Sequence, residues 1–397
     1  MLIRKITEAE KTDFAVMTTY AFKDWKDEPP KEEMIEALSA DQTFAVFDNG
    51  RMVAGLINHD MKQVVRGVIK SMSGIGCVSC YPEYRGKGLV WQLMQVAFKE
   101  MMAKSQPLSM LRPFKQSFYD KFNYVETGYK QRITYPMSAI AHYLENLNLK
   151  EWEFQRFDAG SNWDEFLEVA DELALKQYHG YVLFSSISEG RLKRFFKDSI
   201  VVIVRHEGKA VGSFRYYKKG FGTDGVISIA DWFYSDAYSR SAIFHYLALH
   251  RDQCGKFRLP VPGDAPFYTW FKDADTNPEA TLTCSPWMVR VMDIPVALEG
   301  LPATDSGEIT IKVTDPTCDW NNGAYLLVSD GETLSAESVS TSADCHLTIE
   351  GLSTLVYGSM NIEELVARKW LFTESVRTKQ LLTSWFPMMS IYNICEF

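Results

Sequence analysis

Between Ile75 and Val90 the residue types change in a way that suits the handling of an anion. The apolar run Ile75-Gly76-Cys77-Val78-Ser79-Cys80 stops at Tyr81-Pro82, and a helical pattern restarts after Arg85-Gly86-Lys87-Gly88. That order predicts a strand, a turn and a helix N-terminus. The first amides of a helix have no intrahelical acceptor and sit at the positive end of its dipole, so a glycine entry flanked by Arg85 and Lys87 fits a phosphate. A Walker loop is excluded, because its earlier glycine would fall on Tyr81 and its Ser or Thr on Gly88. A dinucleotide fingerprint is excluded as well, because Trp91 stands where the third glycine is needed. Taken alone, Arg85 to Gly88 still reads first as an ordinary turn with its charges in solvent; the surrounding elements must decide.

The chain has 397 residues, too many for one core, which predicts two or three domains. Apolar content of 46% and aromatic content of 13% fit a well-buried globular protein, and no apolar run is long enough to span a membrane. Met1-Leu2-Ile3-Arg4-Lys5 carries charge where a signal peptide needs its apolar region, so a cytoplasmic protein is expected. Cys77 and Cys80 stand three apart on a strand and point to opposite faces, so they read as structural thiols, with no metal site expected. A net charge of −9 argues against nucleic acid and favours cationic small molecules.

The first 135 residues alternate as one α/β domain. Leu2 to Ile6 reads as a strand, and Thr7 with Glu10 marks a capped helix start. Asp48-Asn49-Gly50 joins two strands as a hairpin. Val64 to Ser71 and Ile75 to Tyr81 are read as two further strands. Leu89, Leu93, Met94, Ala97 and Met101 form one stripe of a helix, which is core packing. Leu108 to Leu111 is a buried strand, and Gln116 to Tyr124 follows it. A similar order of hairpin, strand and helix recurs between 150 and 290. There the place of the anion turn is Tyr234-Ser235-Asp236-Ala237, with no glycine and a carboxylate, so it reads as a degenerate copy; an unrelated domain of similar order is the alternative. Beyond Pro295 the strands Ile309 to Val313, Ala324 to Val328 and Cys345 to Ile349 precede three helices, an α+β order.

Arg85-x-x-Gly88 after a strand and a proline resembles the acetyl-CoA pyrophosphate loop of GCN5-related N-acetyltransferases (GNAT). Val90 stands where that family has Gly or Ala, and this departure resembles the Eis branch. Phe118-Tyr119-Asp120-Lys121-Phe122-Asn123-Tyr124 is similar to the family's later aromatic motif, with Asn123 in a glycine place that suits a left-handed helix end. A lone Tyr would be read as packing; at this spacing the resemblance makes Tyr119 the general acid that protonates the leaving thiolate. The tail resembles a sterol-carrier-protein fold. The resemblance thus implies a mixed α/β chain with a GNAT domain over 1–140, a degenerate second GNAT-like domain over 150–290, and a sterol-carrier-protein-like α+β domain over 300–397.

It also implies an Eis-like N-acetyltransferase that moves an acetyl group from acetyl-CoA to a primary amine of an aminoglycoside-like, polyamine or lysine acceptor, without a metal. Acetyl-CoA is expected on Arg85, Gly86, Lys87, Gly88 and Leu89, with Val78 and Cys80 bonding its pantetheine arm. The carboxylate of Phe397 is expected in the active site beside Glu396, with Asp24, Asp27 and Glu28 at the substrate mouth. A homohexamer is typical of such proteins. The rival reading is a non-catalytic CoA- or lipid-binding protein that uses the sterol-carrier-like tail.

Overall fold

The computed structural model describes residues 1–22, 30–129, 131–145, 149–161, 163–272 and 286–393. The first unit runs β1 (Leu2–Lys5), α1 (Lys11–Phe22), α2 (Glu32–Glu36), β2 (Thr43–Asp48), β3 (Arg51–Val65), β4 (Val68–Cys80), α3 (Leu89–Ala103), β5 (Leu108–Leu111), α4 (Gln116–Tyr119) and β6 (Val125–Tyr129). Thr7 N donates to Glu10 Oε2 at 2.8 Å, the reciprocal bond expected of that capped start. Leu89, Leu93, Met94, Ala97, Phe98 and Met101 of α3 are all buried against the sheet. Each of the Leu, Met and Phe side chains stabilises by roughly 1.5–3 kcal/mol.

One local expectation is corrected here. Val64 to Ser71 is not a strand but the bend of a long β3–β4 hairpin, which turns at Arg66 (φ 52°) and Gly67 (φ 79°). An Arg in the left-handed region hides the turn from a reading that looks for Asn-Gly. Distant contacts hold Arg66 there. Its Nε donates to Val356 O at 2.9 Å and its Nη2 to Leu355 O at 2.8 Å, capping a helix of the third unit.

The second unit comprises β7 (Gln131–Pro136), β8 (Trp152–Phe157), α5 (Asp164–Gln177), β9 (Tyr181–Val182), α6 (Glu189–Phe196), β10 (Ile200–His206), β11 (Lys209–Lys219), β12 (Gly222–Tyr234), α7 (Ala237–Ala248), β13 (Cys254–Val261) and β14 (Pro286–Val291). Two strands cross the boundaries expected at 140 and 290. The sheets run β1-β2-β3-β4-β5-β14-β6, with β9 beside β3, and β7-β13-β12-β11-β10-β8. So β14 lies in the first sheet between β5 and β6, and β7 closes the second. Met137, Ala139 and Ile140 accordingly pack in the second core. An open strand edge accepts any extended segment of the right alternation, so chain order alone does not decide the owner.

The third unit holds α8 (Ile294–Leu298), β15 (Leu301–Pro302), β16 (Gly307–Thr314), β17 (Gly323–Ser329), β18 (Thr333–Val339), β19 (Cys345–Thr348), α9 (Ile349–Tyr357), α10 (Ile362–Ala367), β20 (Leu371–Phe372) and α11 (Val376–Trp385). Its sheet runs β15-β18-β17-β16-β19-β20. Helix α9 is buried along its length except at Glu350 and packs on β14 and β6 of the first sheet. Among the described residues, no helix is long and apolar enough to cross a membrane.

Candidate active site

Strand β4 runs parallel to β5 only from Met72 to Ile75, where it faces Leu108 to Leu111. Beyond Leu111 the two strands part, so the last residues of β4 lack a ladder partner on that side. Within this free stretch Cys77 takes φ 51°, and Ser79 faces Gly55 where Gly76 faces Ile57, so β4 carries an extra residue. A bulge re-aims the side chains that follow it. Cys77 packs with the α1-side cluster and Cys80 with the α3-side cluster, as their spacing predicts. Burial pushes both thiols up.

The turn after β4 is a 3-10 bend over Pro82–Tyr84, closed by Arg85 N to Pro82 O at 3.1 Å. Gly86 and Gly88 follow at φ 76° and 74°, a region costing most residues roughly 1–2 kcal/mol. A Cβ at either would meet no atom within 4 Å, so the requirement is conformational and the space above the turn is open. The first helical bond is Gln92 N to Gly88 O at 3.1 Å, which leaves the Leu89, Val90 and Trp91 amides without an intrahelical acceptor.

A cleft of about 630 Å³ opens over this turn. Val78, Ser79, Cys80, Arg85, Gly86, Gly88 and Leu89 line one side, and Phe114, Phe118 and Phe122 the other. Of the cofactor-binding residues expected from sequence, Lys87 alone is not in the wall. Its Nζ sits 4.6 Å from the centre of the Tyr84 ring, while Tyr84 donates to Asp48 Oδ2 at 3.0 Å. Arg85 bends back, its Nε donating to Cys80 O at 3.3 Å. Ser79 Oγ is buried in the cleft wall without a protein partner. A buried hydroxyl left unpaired is costly, so this atom fits a polar group of a ligand. The open amides, the parted strands and Ser79 together suit an anionic end and an amide-bearing arm, the build of a CoA thioester.

Tyr119 lies directly behind the aromatic wall, 4% exposed and edge-on to Phe118 at 5.1 Å and Phe114 at 5.9 Å. Burial raises its phenol well above the usual value, so it stays protonated. Asn123 closes the segment at φ 59°, the left-handed end that the sequence predicts. The aromatic wall itself was missed; the density of Phe and Tyr between 114 and 124 was its signal.

Asp24, Asp27, Glu28, Glu396 and Phe397 lie outside the described residues. The chain is anchored up to Asn393. Tyr392 N donates to His179 O at 2.9 Å, and Trp287 Nε1 to Asn393 O at 3.2 Å. Asn393 Nδ2 also points at Met110 Sδ of β5, 3.7 Å away. Gly180, at φ 73°, is required by this path, because a Cβ there would stand 2.6 Å from Ile391 Cγ2.

A sheet parted beside a glycine-entered helix suits an acyl thioester, and likeness to known proteins gives the class. Family models describing an acetyltransferase (GNAT) domain match residues 2–126 and 176–291, and one describing a sterol carrier protein domain matches residues 294–389. The chain is an acetyltransferase built from two GNAT domains and a sterol carrier protein domain. No curated protein matches it in sequence. Among solved structures it is similar to a GCN5-related N-acetyltransferase from Anabaena variabilis, at TM-score 0.87 and 19% identity, covering 100% of both chains. It is also similar to one from Kribbella flavida, at TM-score 0.84 and 18% identity, covering 100% of this chain and 98% of that one. Eis1 from Mycobacterium abscessus follows at TM-score 0.81 and 17% identity, with 100% of both chains covered. At such identities the likeness is one of fold, and it spans the whole chain. The two acetyltransferase matches favour the enzyme over the binding-protein reading.

Proposed function

We propose that this chain moves the acetyl group of acetyl-CoA to a primary amine of a cationic acceptor by direct attack. The observation that carries this reading is the cleft, with an open helix N-terminus at one side and a buried phenol behind the other. The amides of Leu89 to Trp91, with Arg85 and Lys87 nearby, take the pyrophosphate. The unpaired end of β4 at Val78 and Cys80 bonds the pantetheine arm and polarises the thioester carbonyl. The acceptor nitrogen bonds to the acetyl carbon as the C–S bond breaks, Tyr119 gives its proton to the departing sulfur, and the amine proton goes to a carboxylate. Phe397, with Glu396 beside it, is that carboxylate in this reading, and the anchored path up to Asn393 supports it. Asp24, Asp27 and Glu28 make the mouth acidic and favour aminoglycoside-like, polyamine or lysine acceptors.

Desolvation raises Tyr119, which makes it a weaker acid than a free phenol. Desolvation in the cleft raises the leaving thiolate too, as it raises Cys80 in the cleft wall; in water the phenol lies above the thiol by roughly 2 kcal/mol. Thiol release from acetyl-CoA across an amine panel tests the proposal. Tyr119→Phe should lower kcat by about 100-fold, and a residue added after Phe397 should lower it as well. Wild-type turnover in both variants would sink this mechanism. The resemblance also carries a homohexamer in the cytoplasm, which light scattering of the purified chain tests for its assembly.

A further inference from the structure

The short segment that carries Tyr119 is held at its far end by residues from outside the first domain. Arg290 of β14 donates through Nη1 to Phe122 O at 2.8 Å. The same guanidinium donates through Nη2 to both carboxylate oxygens of Asp315, at 2.7 and 2.6 Å, and both side chains are fully buried. Asp315 lies in the sterol carrier domain, just after β16. Its oxygens also accept from Thr317 N at 3.0 Å, Cys318 N at 2.9 Å and Asn321 Nδ2 at 2.9 Å, so its position is fixed by its own loop.

A second tether acts one residue further along. Asn123, in the left-handed region, donates through Nδ2 to Glu350 Oε1 at 2.5 Å, and Thr317 Oγ1 donates to Asn123 Oδ1. Glu350 stands in the first turn of α9 and Thr317 beside Asp315, so both partners belong to the sterol carrier domain. Inside the first domain the segment is closed by Asn123 N to Asp120 O at 2.9 Å and Tyr124 N to Tyr119 O at 3.4 Å, and Tyr124 Oη meets Ser109 Oγ at 2.6 Å, while Tyr119 itself packs between rings. A short helix without a tertiary anchor is marginal in water.

We infer that the sterol carrier domain is a positioning element of the acetyl-transfer site: Asp315 through Arg290, and Thr317 and Glu350 through Asn123, fix the turn from which Tyr119 acts. The domain then has a task in the reaction that needs no lipid. The inference rests on the reading of Tyr119 as the proton donor, and Arg290, Asp315 and Asn123 touch no reacting atom.

The test is a double-mutant cycle between Tyr119→Phe and Asn123→Gly. Glycine accepts the left-handed backbone, so the turn keeps its path while both tethers to Asn123 are lost. With spermine as the probe amine, Asn123→Gly should lower kcat about tenfold and leave KM for acetyl-CoA within about twofold. In the Tyr119→Phe background the same substitution should change kcat by less than about twofold, because the group it positions is gone. Amide exchange over residues 118–124 should quicken about tenfold in Asn123→Gly, with exchange in α5 unchanged. Asp315→Asn should reproduce these shifts; where it fails to fold, Asn123→Gly decides. Equal losses in both backgrounds, or an unchanged kcat, would overturn the inference and leave Tyr119 in place. Unchanged exchange over 118–124 overturns it without any acceptor. Wild-type turnover in Tyr119→Phe alone would instead remove the donor reading, and the inference with it.

Discussion

The two acetyltransferase domains present the same strand, turn and helix, and differ in what fills them. In the first, α3 is entered through Gly88 at φ 74° and its leading amides are open. In the second, α7 is entered through Asp236, whose Oδ1 accepts from Ser239 N at 2.8 Å while Ser239 Oγ accepts from Asp236 N at 3.0 Å. That helix end is satisfied by its own carboxylate. The gap between the parallel strands differs likewise. In the first domain Val78 and Ser79 line a cleft; in the second the fully buried Trp232 lies at the matching distance from the strand end, and its Nε1 donates to Pro260 O at 2.7 Å. Two or three side chains can thus cap a helix end and fill a strand gap while the sheet and helix stay intact.

Making the first turn resemble the second should have the largest effect. Gly88→Asp forces a side chain into the left-handed region and sets a carboxylate against the pyrophosphate. Together these should weaken acetyl-CoA by at least about 100-fold, or about 3 kcal/mol, by isothermal calorimetry.

Where the two domains meet the third, His179 Nδ1 accepts from Arg66 N at 2.9 Å, so its Nε2 must donate to Tyr357 O at 2.8 Å. Burial first, and Arg66 to a lesser degree, lower the pKa of this ring to about 4 from an ordinary 6.5. A depressed folded value means that the unfolded chain binds the proton first as pH falls. The contribution of His179 is therefore full above pH 6.5 and lost between there and about 4, a stabilisation on the order of 3 kcal/mol. Urea midpoints followed from pH 7 to 4 should fall more steeply in the wild type than in His179→Gln; parallel curves would contradict this.

Arg85→Ala should weaken acetyl-CoA by about tenfold, with most of that difference gone at high salt, as expected of an exposed cation. The smallest effect belongs to the second turn. Asp236→Ala should cost about 1 kcal/mol of stability through loss of the cap, read from the urea midpoint, and leave acetyl-CoA affinity unchanged.

Much of this contrast was legible in the sequence, because it resides in local chemistry. Gly86 and Gly88 against Asp236, and the left-handed Asn123, are all set within a few residues. Contacts between distant segments were not legible. Nothing near Arg66 announces that its guanidinium will cap α9, nor does the pattern of 286–291 say that β14 joins the first sheet. Phe118 and Phe122 stand in the aromatic motif around Tyr119, but nothing local says that they and Phe114 line a cleft. The tethers on Asn123 come from positions 317 and 350 and needed the fold to be seen.

In the proposed function the first acetyltransferase domain binds acetyl-CoA and the second does not. Calorimetric titration of acetyl-CoA into the full chain tests it most directly. One site per chain is expected, lost in Gly88→Asp and untouched by Asp236→Ala. Two sites per chain, or a single site that survives Gly88→Asp, would contradict it.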